Sequence, residues 1–227
     1  AARVAAYSII VSSGTLLAAL GIGSVAVTSA ALFYLTSATL SAGALFLLAQ
    51  PVERISAANR RGLPGVDIAP GDDTNLDDEE MPLVGRPFRI SLALLGLAFI
   101  ACAAVVAGLP PMSGFIAKLA VLAAVIGAES DRGPSAAGWM LMGLMLVSGL
   151  VATISLTRIG IRHIWSGEGG MEPQLKRAEG AGAIALLLCC VALTLKAESV
   201  MRYASLASAA LHAPAAYIDA VLSSRPK

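Results

Sequence analysis

The chain has 227 residues, 57% of them hydrophobic and 14% charged, with a formal net charge of +1 and a mean hydropathy of +0.78. Soluble domains carry about a quarter charged residues, so this composition points to a polytopic, all-α membrane protein. It argues against a disordered chain, a disulfide scaffold and a nucleic-acid binder, because so small a net charge leaves no broad basic surface for phosphate.

The charges are unevenly placed. Residues 4–52, 133–157 and 180–195 contain none, and residues 90–128 contain one, Lys118. Residues 53–89 hold thirteen of the thirty-one charges. About 20 apolar residues cross the hydrocarbon core as a helix, so the empty windows read as spans and the crowded ones as loops. Cys102, Cys189 and Cys190 all fall in apolar runs, at spacings that make no metal site. No metal or cofactor is expected.

Gly21 and Gly23 divide residues 1–50 into a two-helix hairpin, with helices over about 5–20 and 24–50. Residues 51–89 read as a charged cytoplasmic loop. Its Arg54–Arg61 stretch suits anionic headgroups. Its acidic stretch, Asp67 to Glu80, lacks the ligand periodicity and central glycine of a calcium loop, so it reads as solvated. Residues 90–128 carry Gly108-Leu109-Pro110-Pro111-Met112-Ser113-Gly114 at their middle. A regular helix cannot continue there, because proline removes a donor and clashes with the preceding turn. The window is two spans or one broken span. An unbroken helix of 39 residues would reach about 60 Å, so part must be unwound, tilted or outside the hydrocarbon.

Residues 136–163 form the next span, with Trp139 and Trp165 as interfacial anchors and His163 at its basic end. A second cytoplasmic loop follows over 164–179 and the last span over 180–202. Residues 203–227, broken at Pro214 and carrying His212, read as an amphipathic tail along the interface. Both histidines read as structural. Cytoplasmic loops are rich in Lys and Arg. Arg54, Arg60, Arg61, Arg86 and Arg89 in one loop, and Arg158, Arg162, Lys176 and Arg177 near the other, face the same side only if residues 90–128 cross once. That predicts about five spans including one broken helix, N-terminus inside and C-terminus outside. The chain starts with Ala, close to a span and without a signal peptide's charged leader, and reads as a piece of a longer protein.

Lys118 stands four residues past Gly114. A lysine at the centre of a membrane helix costs about 2.5–3.5 kcal/mol and marks a functional site. Snorkelling is hard from here, because apolar residues 119–127 lie on one side and the Pro-Pro break on the other. A lysine withdrawn from bulk water can take part in a proton relay. Ser113 and Gly114 open the second half-helix, so Lys118 is expected near that helix's positive N-terminal end. No carboxylate lies within the predicted spans. Ser8, Ser12 and Thr15 share one helix face, and Tyr34, Ser37 and Ser41 share another. They offer a candidate water path, set against the plainer reading that hydroxyls bond the preceding turn.

The string Gly108-Leu109-Pro110-Pro111-Met112-Ser113-Gly114-Phe115-Ile116-Ala117-Lys118 resembles the broken-helix motif of the proton-translocating antiporter family. That family includes large subunits of Mrp-type multisubunit sodium/proton antiporters and of respiratory complex I. Ala2-Arg3-Val4-Ala5-Ala6-Tyr7-Ser8 and Phe33-Tyr34-Leu35 resemble the entry to the tenth helix and part of the eleventh. The acidic loop and the tail from Tyr203 to Leu222 look most like the D-type member of the antiporter complexes. The resemblance covers nearly the whole chain and implies its last five helices of about fourteen.

It further implies an inner-membrane subunit of a bacterial complex exchanging protons for sodium or potassium beside other membrane subunits. Lys118 would be the proton-transfer residue at the outlet end of the path, with Pro110, Pro111, Ser113 and Gly114 shaping the break. Two departures stand out. The stretch 36–42 carries no histidine or lysine where several relatives do, and the family's first-half glutamate–lysine pair is absent. The rival readings are a redox-driven complex I or hydrogenase subunit and a non-transporting membrane scaffold.

Overall fold

The computed structural model describes residues 2–62, 90–128, 134–161 and 177–213, together with 215 and 222. Among them all regular structure is helical. The order is α1 (Ala2–Gly21), α2 (Val25–Gly62), α3 (Ile90–Ala107), α4 (Ser113–Gly127), α5 (Ala136–Gly160), α6 (Arg177–Leu195) and α7 (Ala197–Leu211). The acidic run, His163 and Trp165 lie outside the described residues.

The α1–α2 hairpin turns where its glycines predict. Ile22 N–H donates to Ala19 O at 3.2 Å and Gly23 N–H to Leu20 O at 3.1 Å. Gly23 takes φ +72°, a conformation open to a residue without Cβ. α2 differs from expectation at its other end, where it runs through Pro51 to Gly62 and so includes twelve residues assigned above to the loop. Packing outweighs the proline there. Val52 is fully buried in the cluster that holds Ala44, Leu45 and Leu48, and Glu53 Oε1 accepts from the Ala2 backbone N–H at 3.0 Å.

Three helices, Ala2–Gly21, Val25–Arg54 and Ala136–Gly160, are each long and apolar enough to cross a membrane. Gly180–Leu195 and Ala197–Leu211 meet that test together as a pair bent by 80°. The last helix therefore begins at Ala197, earlier than the tail expected from 203, with Lys196 out of helical conformation (φ −106°, ψ 19°) at the corner. The 90–128 window is two short apolar helices, Ala93–Ala107 and Ser113–Gly127, neither long enough alone. This all-helical membrane fold agrees with the sequence reading.

α2 is the hub, packing against α1, α3, α4, α6 and α7. Along it the core divides in two. Toward Val52, α2 packs with Ala5 of α1, Leu95, Phe99 and Cys102 of α3, Leu156 of α5 and Ala183 of α6. Toward Val27, it packs with Ala19 of α1, Ala117, Val121 and Val125 of α4, Leu141 and Met145 of α5 and Leu193 of α6. Each half of the broken helix thus belongs to its own apolar cluster. Between the clusters lie buried Ser37, Ser41 and Ser113. Ser37 Oγ donates to Ser113 Oγ at 3.1 Å, and Cys102 Sγ reaches Ser41 O at 3.6 Å.

α7 folds back over the start of α2. Fully buried Ser208 donates to Val25 O at 2.7 Å. Thr28 Oγ1 donates to Ser24 O at 3.0 Å and is hydrogen-bonded with His212 Nε2 at 3.0 Å. His212 is thus half of a clasp between the tail and the hairpin.

α4 meets α3 at closest approach through Gly114, where an added Cβ would collide with the Val105 carbonyl oxygen. Backbone cannot swing aside as a side chain can. Gly114→Ala is therefore expected to destabilise the full-length protein by about 3 kcal/mol or more and to deplete the folded protein recovered in detergent. Recovery and melting at wild-type levels would contradict this packing.

Candidate functional site

The end of α3 sets the site's geometry. Gly108, at φ +81°, donates its N–H to Ala104 O at 3.0 Å and Val105 O at 3.2 Å, and Leu109 N–H donates to Ala104 O at 2.9 Å. This is a Schellman closure, with glycine where the left-handed conformation is needed. It satisfies the carbonyls of Ala104 and Val105. The next two carbonyls, of Val106 and Ala107, would in a continuing helix accept from residues 110 and 111. Both are proline and have no N–H. The Pro-Pro pair therefore does more than stop the helix, because it orphans two identified oxygens.

Lys118 fills that gap. Its Nζ donates to Ala107 O at 2.8 Å and Val106 O at 3.2 Å. A helical side chain leans toward its own N-terminus, so a lysine in the second turn of α4 is carried back across the break to the end of α3. The Lys118 amine lies on the negative, carbonyl end of α3, which complements a cation. The residue is half-buried, and a protonated amine has three donors, so two serve the carbonyls and one remains.

Around the same amine the structure collects most of the predicted hydroxyls. Ser8 and Ser12 of α1 and Tyr34, Ser37 and Ser41 of α2 join Val106, Gly114 and Lys118 in lining a cavity of about 20 Å³. Space of about 10–15 Å³ admits one water. Thr15 is buried but is not part of this lining. Ser8, Ser12, Thr15 and Ser41 each donate to a carbonyl of the preceding turn, at 2.7, 2.8, 2.8 and 3.1 Å. The oxygens of Ser8, Ser12 and Ser41 are thus left to the cavity as acceptors. Tyr34 O–H reaches Ser12 Oγ at 3.5 Å. Pro110 and Pro111 are exposed and act only through the backbone donors they lack. The plain reading of the hydroxyls and the water-path reading are compatible, since bonding the turn consumes the hydroxyl proton and leaves the lone pairs.

Two glycines flank the lysine. A Cβ on Gly108 would lie 2.8 Å from Lys118 Cδ, and one on Gly149 of α5 would lie 3.4 Å from Lys118 Nζ. Gly108 was visible in the motif. Gly149 carries no local signal, because only the packing of α5 brings it there.

No protein-family model matches the chain. Over 224 residues, 97% of its length, it is 43% identical to a protein of Rhizobium meliloti (strain 1021) named as the D subunit of a probable K(+)/H(+) antiporter, and the match covers 41% of that protein. It is 28% identical over 223 residues to the D subunit of the Na(+)/H(+) antiporter of Bacillus subtilis (strain 168), and 25% identical over 223 residues to that of Alkalihalophilus pseudofirmus (strain ATCC BAA-2126 / JCM 17055 / OF4). These two matches each cover 97% of the chain and 39% of the relative. The chain spans about two fifths of the length of the curated relatives it matches.

Alanine at 108 would meet two penalties, a left-handed φ and contact with the lysine stem. Gly108→Ala is expected to cost about 1–2 kcal/mol from the backbone alone, seen as a melting midpoint at least about 2–4 °C lower in the full-length protein. A midpoint matching wild type would show that α3 closes in another way.

Proposed function

We propose, from the premise that this chain is homologous to the D subunits of monovalent cation/proton antiporters over 97% of its length, that it forms the C-terminal membrane part of such a protein and contains one of its proton-transfer sites. The observation that carries this reading is the Lys118 amine, held on the Val106 and Ala107 carbonyls beside a hydroxyl-lined cavity of one-water size.

Protonated Lys118 rests on the carbonyl pair and directs its third donor to the cavity. Transfer begins when a water there takes that proton, in hydrogen-bond reach of the oxygens of Ser8, Ser12, Tyr34, Ser37 and Ser41. The neutral amine is then free to accept a proton from the other side. A flexible four-carbon stem lets the nitrogen move while α4 stays fixed. Permanently charged arginine could not release the proton. In the intact complex this step would be coupled to exchange of protons for sodium or potassium. The protein would work as a transporter subunit and not as an enzyme, in the bacterial inner membrane, beside other membrane subunits. The five-crossing topology and the interfacial course of α7 belong to the same reading.

The test uses the full-length subunit in its complex, reconstituted in vesicles with a pH-sensitive dye and pulsed with NaCl or KCl. Lys118→Ala should remove exchange while the complex still assembles. Lys118→Arg should keep assembly but lose at least about tenfold in exchange or shift its pH profile, since proton delivery would have to bypass the side chain. A fully active, unshifted Lys118→Arg, or wild-type exchange in Lys118→Ala, would remove the relay role and favour a scaffold.

A further inference from the structure

We infer that Gly149, on a helix carrying none of the polar residues of the site, is a positioning residue that fixes where the Lys118 amine rests. This rests on the proton-transfer reading above and adds a determinant to it. The amine has two sets of partners, the carbonyls at the end of α3 and the hydroxyl oxygens of the cavity toward α1 and α2. α5 closes the remaining side. At the point of closure it presents a bare Cα. A Cβ there would stand 3.3 Å from Ala107 O and 3.4 Å from Lys118 Nζ, against both members of the 2.8 Å hydrogen bond at once. Neither contact is a collision that would prevent packing. The tighter contact falls on the backbone oxygen, and the 3.4 Å contact with the amine stands at the edge of ordinary van der Waals distance, so a methyl would press on the hydrogen bond chiefly at its acceptor.

The local structure holds Gly149 in place. Thr153, one turn on, donates to Gly149 O at 2.8 Å, and Leu141 and Met145 on the same helix pack into the core shared with α2 and α4. α5 is therefore not free to back away from an added methyl. Crowding would move the amine off Ala107 O and toward the cavity. That costs the protonated form its best acceptor, so the proton leaves more easily.

Few other groups are placed to cause such a change. Among the described residues, α2 offers Tyr34 to the cavity, α3 carries Cys102, and α6 carries Cys189 and Cys190. α1 contributes Ser8 and Ser12. α5 has no titratable side chain over residues 136–157, and α4 has none besides Lys118.

The experiment compares Gly149→Ala and Gly149→Ser with Gly143→Ala in the full-length subunit within its complex, measuring the pH dependence of exchange at saturating cation. Gly143 lies on the same helix, but a Cβ there meets nothing within 4 Å, so Gly143→Ala should match wild type. Gly149→Ala should assemble and move the pH of half-maximal exchange downward by about half a unit or more. Gly149→Ser, whose hydroxyl can take the amine's place on Ala107 O, should move it further. A purely structural role would lower the amount of complex without moving the profile. An unmoved profile in both variants, or loss of assembly in both while Gly143→Ala assembles, overturns the inference. If Lys118→Ala abolishes exchange in the same assay, the proton-transfer reading survives that outcome. Wild-type exchange in Lys118→Ala removes both.

Discussion

Two carbonyl oxygens without backbone N–H partners impose the constraint from which the site follows. Pro110 and Pro111 cannot donate to Val106 and Ala107, and unsatisfied backbone groups at membrane depth cost several kcal/mol each. A lysine at the centre of a membrane helix costs about 2.5–3.5 kcal/mol on its own account, and Lys118 is half-buried. Placed together at 2.8 and 3.2 Å, the two liabilities largely offset one another. The proline pair and Lys118, close in sequence, are one device. Gly108 closes α3 with its last carbonyls free, and Gly114 brings α4 near enough for the amine to reach them.

The division of the core supports this device. α2 passes both halves of the break, packing one apolar cluster against α3 and the other against α4. Ser37, Ser41 and Ser113 occupy the level between them, where a continuous apolar core would otherwise seal the break from α1. The hydroxyl cavity lies where the two clusters meet, with Val106 of one and Tyr34 of the other in its lining.

Much of this was legible in the chain itself. Charge-free windows located the helices because a membrane core excludes charge. The Gly-Leu-Pro-Pro string located the break because its residue types decide backbone hydrogen bonding locally. Ser8, Ser12, Tyr34, Ser37 and Ser41 could be placed on two helix faces by periodicity alone, and the structure turns those faces to one another around Lys118. What was not legible depended on contacts between distant segments. The lysine's direction needed the relative placement of α3 and α4. Continuation of α2 past Pro51 needed the burial of Val52 against other helices. Gly149 is indistinguishable in sequence from Gly143 on the same helix, and only the neighbours differ. His212 gave no signal of its clasp because its partner, Thr28, lies 184 residues away.

The serine level also bears on how such a protein responds to engineering. Replacing both hydroxyls of a buried pair by alanines of nearly the same shape is close to neutral in stability, because no donor or acceptor is stranded. Ser37 and Ser113 form such a pair. A screen that rewards only yield or heat resistance would let the polar stratum drift into hydrocarbon, joining two cores into one. The survivors would be sturdy and mute, and a melting curve would not reveal what they had lost.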